Sequence, residues 1–171
     1  GDEVIVYGTL TLFYETPEVA TGSQLYELNG KKADDTPDPT PSGTPEGEGT
    51  EASPWNVAAV TQAFAANNSF YEANKEYYVK GIVTNVATYS SQYGSLSYYI
   101  ADEANGTNTF YVYSGLGLEK SKFSGKSDLK AGDEVVVCGK FTVYNGTFEF
   151  QYNNYLVSLN GVTDPGDLPD N

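Results

Sequence analysis

Three tyrosines have the spacing with which a β-sheet surface could hold a ligand that contains rings. Tyr99 lies in "LSYYIAD", and Tyr111 and Tyr113 lie in "TFYVYS", where alternate residues are apolar. Because successive side chains of a strand point to opposite faces, these tyrosines should share the face opposite the apolar residues. Tyrosine rings stack on nucleic-acid bases, at about 1–3 kcal/mol per base, and on sugar rings. The pattern therefore predicts a stacking surface for an oligonucleotide or an oligosaccharide.

A second explanation stays open for the same tyrosines. The chain contains 15 tyrosines, and tyrosine favours strands wherever they form. Strand formation, or packing against a neighbouring domain, would also account for Tyr99, Tyr111 and Tyr113. The sequence alone does not separate these explanations.

Two further tyrosines and two lysines could extend the stacking surface. Tyr89 and Tyr93 lie in the polar stretch "YSSQYGS", and Lys120 and Lys122 lie in "EKSKFSGKSDLK". Lysines in such a position could attract a phosphate backbone. Glutamate and aspartate are interleaved with them, however, which is also typical of a solvated connection between strands. Local packing would likewise explain the two loop tyrosines.

The amino-acid composition excludes most catalytic mechanisms. The chain has no histidine and a single cysteine, which excludes a disulfide within the chain and any triad that needs an imidazole base. Asp102 and Glu103 are adjacent carboxylates, but calcium needs six to eight oxygen ligands. We therefore expect no enzyme activity, no metal and no cofactor.

The net charge of −14 is unevenly distributed. The segment from Ser53 to Gly161 contains nine carboxylates and seven lysines, so most of the excess negative charge lies near the two ends of the chain. An anionic ligand is therefore not excluded for the middle segment. Arginine is absent, and with it the bidentate contact to phosphate or guanine that arginine provides.

Strand patterns fill the segment from residue 77 to residue 159. "EYYVKGIVTNVATY", "LSYYIAD" and "TFYVYS" alternate apolar and polar residues, and "EVVVCGKFTVY" and "TFEFQYNNYLVSL" follow with Asn145-Gly146 as a hairpin turn between them. The alternation places Val135, Val137, Phe141 and Val143 on one face. "NVAAVTQAFAA" is the one convincing helix, with Asn56 as its cap.

Five strands in a three-plus-two arrangement with one preceding helix predict an OB-like barrel. A β-sandwich is the alternative, although it usually has about seven strands. The predicted fold class is all-β: a five-stranded OB-like barrel with an N-terminal helix, and a β-hairpin fragment of a second, incomplete OB repeat.

An internal repeat supports that fragment. Residues 1–30 align with residues 132–161 at a constant offset of 131, without a gap, and thirteen of the thirty pairs are identical. The sequence therefore predicts that residues 1–30 are the last strands of a first OB repeat whose earlier strands are absent from this chain. Residues 54–161 are predicted to be the complete domain.

The remaining segments are predicted to be linkers. Residues 31–53 are rich in Pro, Thr, Gly and acidic residues and nearly lack large apolar ones, which favours a disordered linker. Residues 162–171 have the same character and are predicted to be an acidic tail or a further linker.

The stretches "PWNVAAVTQAF", "YYVKGIVTNV" and "LKAGDEVVVCGKFTVYNGTFEF" resemble the OB-fold repeats of Bacteroidetes surface lipoproteins, which are distantly similar to the OB domains of extracellular nucleases. The resemblance implies an exported protein of the cell surface or periplasm, with other domains of the same polypeptide as partners. No stretch of this chain is long and apolar enough to span a membrane, so a lipid anchor would lie outside it.

Three functions remain. A non-catalytic OB-fold module could bind single-stranded nucleic acid, which is the default for the fold, through Tyr99, Tyr111 and Tyr113. The same surface could bind an oligosaccharide, which suits tyrosines without arginine better. The module could instead be a spacer that only positions other domains, in which case protein should cover the three tyrosines.

Overall fold

The computed structural model describes residues 1–7, 10–14, 16–19, 24–32 and 43–168. The chain divides into two compact units, Gly1–Thr40 and Pro41–Asn171. Described strands occur in both units, and the described α-helix lies in the second. The prediction of a mostly β protein with one helix is confirmed. None of the helices in the described ranges has the length and apolar character of a membrane span.

The described residues of the first unit form five short strands. They are β1 Val4–Tyr7, β2 Leu10–Phe13, β3 Thr16–Val19, β4 Gln24–Leu28 and β5 Lys31–Lys32. β1 and β5 both pair antiparallel with β4, and β2 pairs antiparallel with β3.

The second unit contains the helix and seven strands. They are α1 Val57–Ala66, β6 Tyr77–Ser90, β7 Ser95–Ala101, β8 Thr109–Gly115, β9 Glu134–Gly139, β10 Phe141–Tyr144, β11 Thr147–Phe150 and β12 Tyr155–Leu159. Their order in the sheet is β10-β11-β8-β7-β6-β9-β12. All described pairs are antiparallel except β8 with β11, which run parallel.

The chain itself connects the two halves of this sheet. β10 and β12 are the edge strands, so the hydrogen bonding does not form a closed ring. β9 and β10, however, are separated in sequence only by Lys140. One nearly continuous segment therefore pairs with β6 through β9 and with β11 through β10.

The core lies on the inner face of this sheet. Val79, Val83, Tyr98, Ile100 and Phe110 are buried in it, as alternation along β6, β7 and β8 predicts. Phe141 and Phe150 pack with Phe110, with ring centroids 4.9–5.7 Å apart. These aromatic contacts join β8 to β10 and β11, and they bury the faces that an isolated sheet would expose.

Two side chains satisfy the N-terminal amides of α1. Asn56 is the N-cap and accepts a hydrogen bond from Ala59 N at 2.9 Å. Asp102, at the end of β7, accepts from Val57 N at 2.6 Å and from Ala58 N at 2.9 Å. A carboxylate at this position also interacts favourably with the positive end of the helix dipole. Asp102 therefore attaches the helix to the sheet.

Several predictions about the strands need correction. The predicted fourth strand is interrupted at Lys140, and the predicted fifth strand is interrupted at residues 151–154, so five expected strands appear as seven. Val143 was expected on the buried face and is exposed, because it lies at the outer end of β10, next to the Asn145-Gly146 turn, whereas Phe141 at the start of the same strand is buried in the core.

The boundaries of the predicted linkers also need correction. Glu46, Glu48 and Thr50 form backbone hydrogen bonds with residues 53–56, and Gly49 packs closely against the ring of Trp55. Residues 43–53 are therefore part of the second unit and not a disordered linker, and residues 33–42 of the predicted linker lie outside the described residues. At the other end, Val162 and Leu168 pack against the core, so residues 162–168 are part of the second unit.

The Asp102→Ala variant is expected to lower the free energy of unfolding by about 1–2 kcal/mol, because it leaves two helix N–H groups without their charged acceptor. Urea denaturation followed by circular dichroism measures this loss. The matched control is Glu103→Ala, since the Glu103 side chain makes no hydrogen bond or ion pair with any residue that the structure describes. Equal stability of the two variants would contradict the capping role.

Candidate ligand-binding site

A groove of about 810 Å³ lies on the outer surface of the second unit. It is bounded by the end of β6, the turn that leads to β7, the end of β8 and the break between β11 and β12. Its lining includes four tyrosines, four serines and two lysines, and it contains no carboxylate among the residues that the structure describes. In a chain of net charge −14, this is a locally basic surface that is rich in hydroxyl groups.

The four tyrosines of the groove come from different elements. Tyr89 ends β6 and donates its hydroxyl hydrogen bond to Phe123 O at 3.2 Å, which fixes the ring. Tyr93 lies in the turn, Tyr113 on β8 and Tyr152 in the break after β11, and all three are exposed. Tyr93 and Tyr113 thus offer ring surface to a ligand, and Tyr89 supports the wall between them.

A row of tyrosines extends from the groove across the sheet. Tyr99 on β7 is the cross-strand partner of Tyr111 on β8, and their ring centroids lie 4.7 Å apart. Tyr111 and Tyr113 lie two residues apart on β8, with ring centroids 6.4 Å apart. The prediction that these three side chains share the outer face agrees with this arrangement, and Tyr113 joins the row to the groove.

Three serines connect β7 and β8 along the groove. The Ser95 and Ser114 hydroxyl oxygens are 2.8 Å apart, and Ser114 N donates to Ser97 Oγ at 3.0 Å. Ser114 has a φ of 49°, a left-handed conformation that is unfavourable for a residue with a side chain. Such strain persists only where surrounding interactions impose it, and it is concentrated at functional sites.

Packing of the turn places Lys122 beside Tyr93. Gly94 has a φ of 63°, and a Cβ atom there would lie 2.6 Å from Cβ of Lys122. Phe123 N donates to Gly94 O at 2.8 Å. Because only glycine permits so close an approach, the stem of Lys122 is held against the turn that carries Tyr93.

The remaining lysines of the same segment separate into two groups. The Lys120 ammonium lies 4.6 Å from the centroid of the Tyr155 ring, at the groove. Lys126 Nζ donates to Ala87 O at 3.1 Å, and Lys130 Nζ lies 4.0 Å from Asp133 Oδ1. Of the lysines in "EKSKFSGKSDLK", only Lys120 and Lys122 line the groove.

Asn154 holds together the backbone on which the groove is built. Its side chain is buried, and Nδ2 donates to Tyr113 O at 2.7 Å and to Gln151 O at 2.8 Å. The main chain continues the connection, because Leu116 N donates to Asn154 O at 2.9 Å. A Cβ at Gly115 would lie 2.4 Å from Asn154 Oδ1, so this position accepts only glycine. The end of β8 and the break in the fifth strand are thereby fixed together.

Glu149 is a buried carboxylate beside the tyrosine row. It lies on β11 next to Tyr111 and opposite Thr142, and it is only 4% exposed. It makes no hydrogen bond or ion pair with any described residue. Burial raises the pKa of its carboxyl group. The structure therefore places a buried carboxyl group without a described partner next to Tyr111.

Cys138 lies between Tyr78 and Tyr155, its cross-strand partners on β6 and β12. Burial raises the pKa of the Cys138 thiol, and the hydrogen bond with Cys138 raises the pKa of Tyr78 to about 12. All three groups therefore stay protonated at neutral pH. Within the described ranges, no group of three Cys, Asp or Glu side chains could hold a metal ion, and Asp102 is engaged with α1.

Five of the seven residues predicted for the site line one groove: Tyr89, Tyr93, Tyr113, Lys120 and Lys122. Tyr99 and Tyr111 form the adjoining row. Sequence reasoning missed Tyr152, the serines, Glu149 and Asn154. The pattern of "FQYNNYLV" predicts one uninterrupted strand; the consecutive residues Asn153 and Asn154 were the available signal of a break.

No protein-family model matches the sequence, and no curated protein matches it. Among solved structures, a chain of the S. pombe Stn1–Ten1 complex is similar, with 17% identical residues and a TM-score of 0.33. The match covers 54% of this chain and 61% of that chain, which is less than two thirds of the neighbour. A likeness of this extent identifies neither fold nor function, and the resemblance to surface lipoprotein repeats stays a prediction.

The Glu149→Gln variant is expected to be more stable than the natural protein at pH 7 and equally stable near pH 4. The folded state raises the pKa of Glu149, so the carboxylate destabilises the fold above that pKa, and the penalty vanishes as pH falls below the ordinary value of about 4.3. A gain of about 1 kcal/mol would raise Tm by about 2–4 °C. Thermal unfolding of both proteins across this pH range measures the difference, and a difference that does not change with pH would contradict the burial of a free carboxylate.

Proposed function

We propose that the second unit is a non-catalytic OB-like module that binds an oligosaccharide in the tyrosine groove. The strand connectivity supports the OB-like assignment. β6, β7 and β8 form an antiparallel meander, β11 pairs parallel with β8, and the β9–β10 segment lies between β11 and β6. These connections support the proposal, because an OB fold is a partly open Greek-key barrel of five strands; in the proposed assignment the fourth and fifth strands are each interrupted once.

The composition of the groove is the observation that carries the proposal. Exposed tyrosine rings provide stacking surfaces, and serine, threonine, asparagine and glutamine side chains provide donors and acceptors for hydroxyl groups. In OB folds, oligosaccharides and oligonucleotides bind across the second and third strands and the adjacent loops. The groove and the tyrosine row occupy the corresponding surface, formed here by β7, β8 and the turn from β6 to β7.

Glu149 favours a glycan over a nucleic acid. Its buried carboxylate lies beside Tyr111, where its negative charge would repel phosphates but not a neutral sugar. The chain also lacks arginine, the residue best suited to phosphate. A neutral or weakly charged sugar oligomer would not be repelled by Glu149 and would not need arginine for its binding.

Single-stranded nucleic acid is the second candidate, and the two groove lysines are the observation that favours it. Lys120 and Lys122 meet no carboxylate in the described lining, so they would be free to approach a phosphate backbone. The spacer function is the weakest of the three. Tyr93 is 58% exposed and Tyr113 is 45% exposed, whereas a spacer would need them to be covered by protein.

Isothermal titration calorimetry with cellohexaose, xylohexaose and mannohexaose tests the proposal. At least one of these should bind, and Tyr93→Ala and Tyr113→Ala should each weaken that binding by about 5- to 150-fold, since each removes about 1–3 kcal/mol of stacking. Tyr144→Ala is the matched control, because Tyr144 is at least as exposed as Tyr93 and Tyr113 and lies outside the groove. Its affinity should equal that of the natural protein.

Salt dependence separates the two ligand classes. Affinity for a neutral glycan should barely change between about 50 mM and 500 mM salt, whereas affinity for poly-dT should fall steeply, because each phosphate contact releases counterions. If poly-dT binds tightly and this binding is lost in Lys120→Gln and Lys122→Gln, single-stranded nucleic acid and not an oligosaccharide is the ligand. Binding of neither ligand class would reject the proposal.

A further inference from the structure

The two copies of the internal repeat form the same strand pairs. In the first unit Val4 pairs with Leu28 and Val6 with Leu25. In the second unit the residues at offset 131 do the same, since Val135 pairs with Leu159 and Val137 with Leu156. The irregularity in the register falls at the same place in both. β2 and β3 likewise repeat the four pairs of β10 and β11, residue by residue.

The polar contacts at the ends of these strands are also repeated. Asn29 Nδ2 donates to Asp2 Oδ1 at 2.9 Å, and Glu3 N donates to Asn29 Oδ1 at 2.8 Å. Asn160 makes the equivalent bonds with Asp133 and Glu134, at 3.0 and 2.8 Å. The first unit therefore has the same local structure as the last four strands of the second unit.

The two copies differ sharply in burial. Five apolar residues of the second copy are at most 7% exposed, whereas their counterparts in the first copy are 41–54% exposed. The buried set is Val135, Val137, Phe150, Leu156 and Leu159, and the exposed set is Val4, Val6, Val19, Leu25 and Leu28. The same apolar face is thus a core surface in one unit and an open surface in the other. Two short strand pairs with an open apolar face are at best marginally stable in water.

The second unit shows which structure covers this face. β6 pairs antiparallel with β9, and β8 pairs parallel with β11, so the meander β6–β8 occupies the free edges of both strand pairs. The corresponding free edges of the first unit belong to β1 and β3. A second copy of this chain would not supply strands that pair with β1 and β3, because its β6 and β8 each already have a paired strand on both sides in the described sheet.

We propose that the first unit is the docking surface for another three-stranded antiparallel meander of the β6–β8 type in the same polypeptide. Its first strand pairs antiparallel with β1, its third strand pairs parallel with β3, and its alternate apolar residues cover Val4, Val6, Val19, Leu25 and Leu28. The internal repeat supports this choice of occupant, because a meander of the same polypeptide completes the second copy of these four strands. The occupant is therefore a segment with the alternation of residues 77–115, and the exposed face is half of a second core.

A fusion tests this proposal. A second copy of residues 54–131 is placed directly before Gly1 of the full chain, so that the order of elements around the first unit reproduces that of the second. Native-state hydrogen exchange then follows the amides of β1 and β4. Protection of these amides should rise by about 100-fold or more over the natural chain, because local opening becomes costly when a strand is inside a sheet.

Two controls make the result decisive. The same fusion with Val4→Asp and Leu28→Asp should lose the added protection, while amides of β6 and β9 in the second unit stay protected in every protein and report that it is folded. Unchanged exchange of β1 and β4 in the fusion would overturn the proposal. Dimerisation of the unfused chain would also overturn it, if the dimer protects the amides of β1 and β4. Light scattering would detect such a dimer as a mass that depends on concentration, and the occupant would then be a second copy of the chain.

Discussion

The buried amide of Asn154 is the interaction on which the shape of the groove depends. It bonds to the carbonyls of Tyr113 and Gln151, and so it joins the end of β8 to the break between β11 and β12. A buried carbonyl that loses its donor costs about 1–3 kcal/mol, so the strand break is stable only while this side chain fills it. The break places Tyr152 at the groove, and the bond to Tyr113 O fixes the backbone from which Tyr113 and Ser114 extend. The left-handed conformation of Ser114 is held between this bond and the hydroxyls of Ser95 and Ser97.

Charged residues are unevenly distributed between the groove and the rest of the chain. The groove has lysines and no carboxylate in the described lining, although acidic residues outnumber lysines in the chain as a whole. Glu149 lies outside the groove, beside the tyrosine row, without a described partner. A surface of this kind distinguishes ligands by the position of their charges. Under the proposed function it would accept rings and hydroxyl groups along its length, would tolerate a negative group near Lys120 and Lys122, and would disfavour one beside Tyr111.

The strands and the outward tyrosines could be predicted from the sequence because alternation with a period of two is a local property. Asn56 as the helix cap and Asn145-Gly146 as a tight turn were predictable for the same reason. Features that depend on distant residues were not. Gly94 brings Lys122 to Tyr93, Trp55 holds Gly49 and with it part of the expected linker, and Asn154 interrupts a strand that the pattern continued. The burial of Glu149 likewise arises from neighbours on other strands, which no sequence period encodes.

The central claim is that a ring-bearing oligomer binds in the groove that Tyr93, Tyr113, Lys120 and Lys122 line. The most direct test is a two-dimensional NMR titration of the labelled full chain with the hexasaccharide that binds most tightly, in which the shifts of backbone and tyrosine ring resonances are mapped on the structure. The account predicts that the largest shifts cluster at residues 88–97, 111–114, 120–122 and 152–153. Shifts confined instead to a separate cavity that Glu46, Lys80 and Glu134 line, or no saturable shifts with a glycan or with poly-dT, would contradict it.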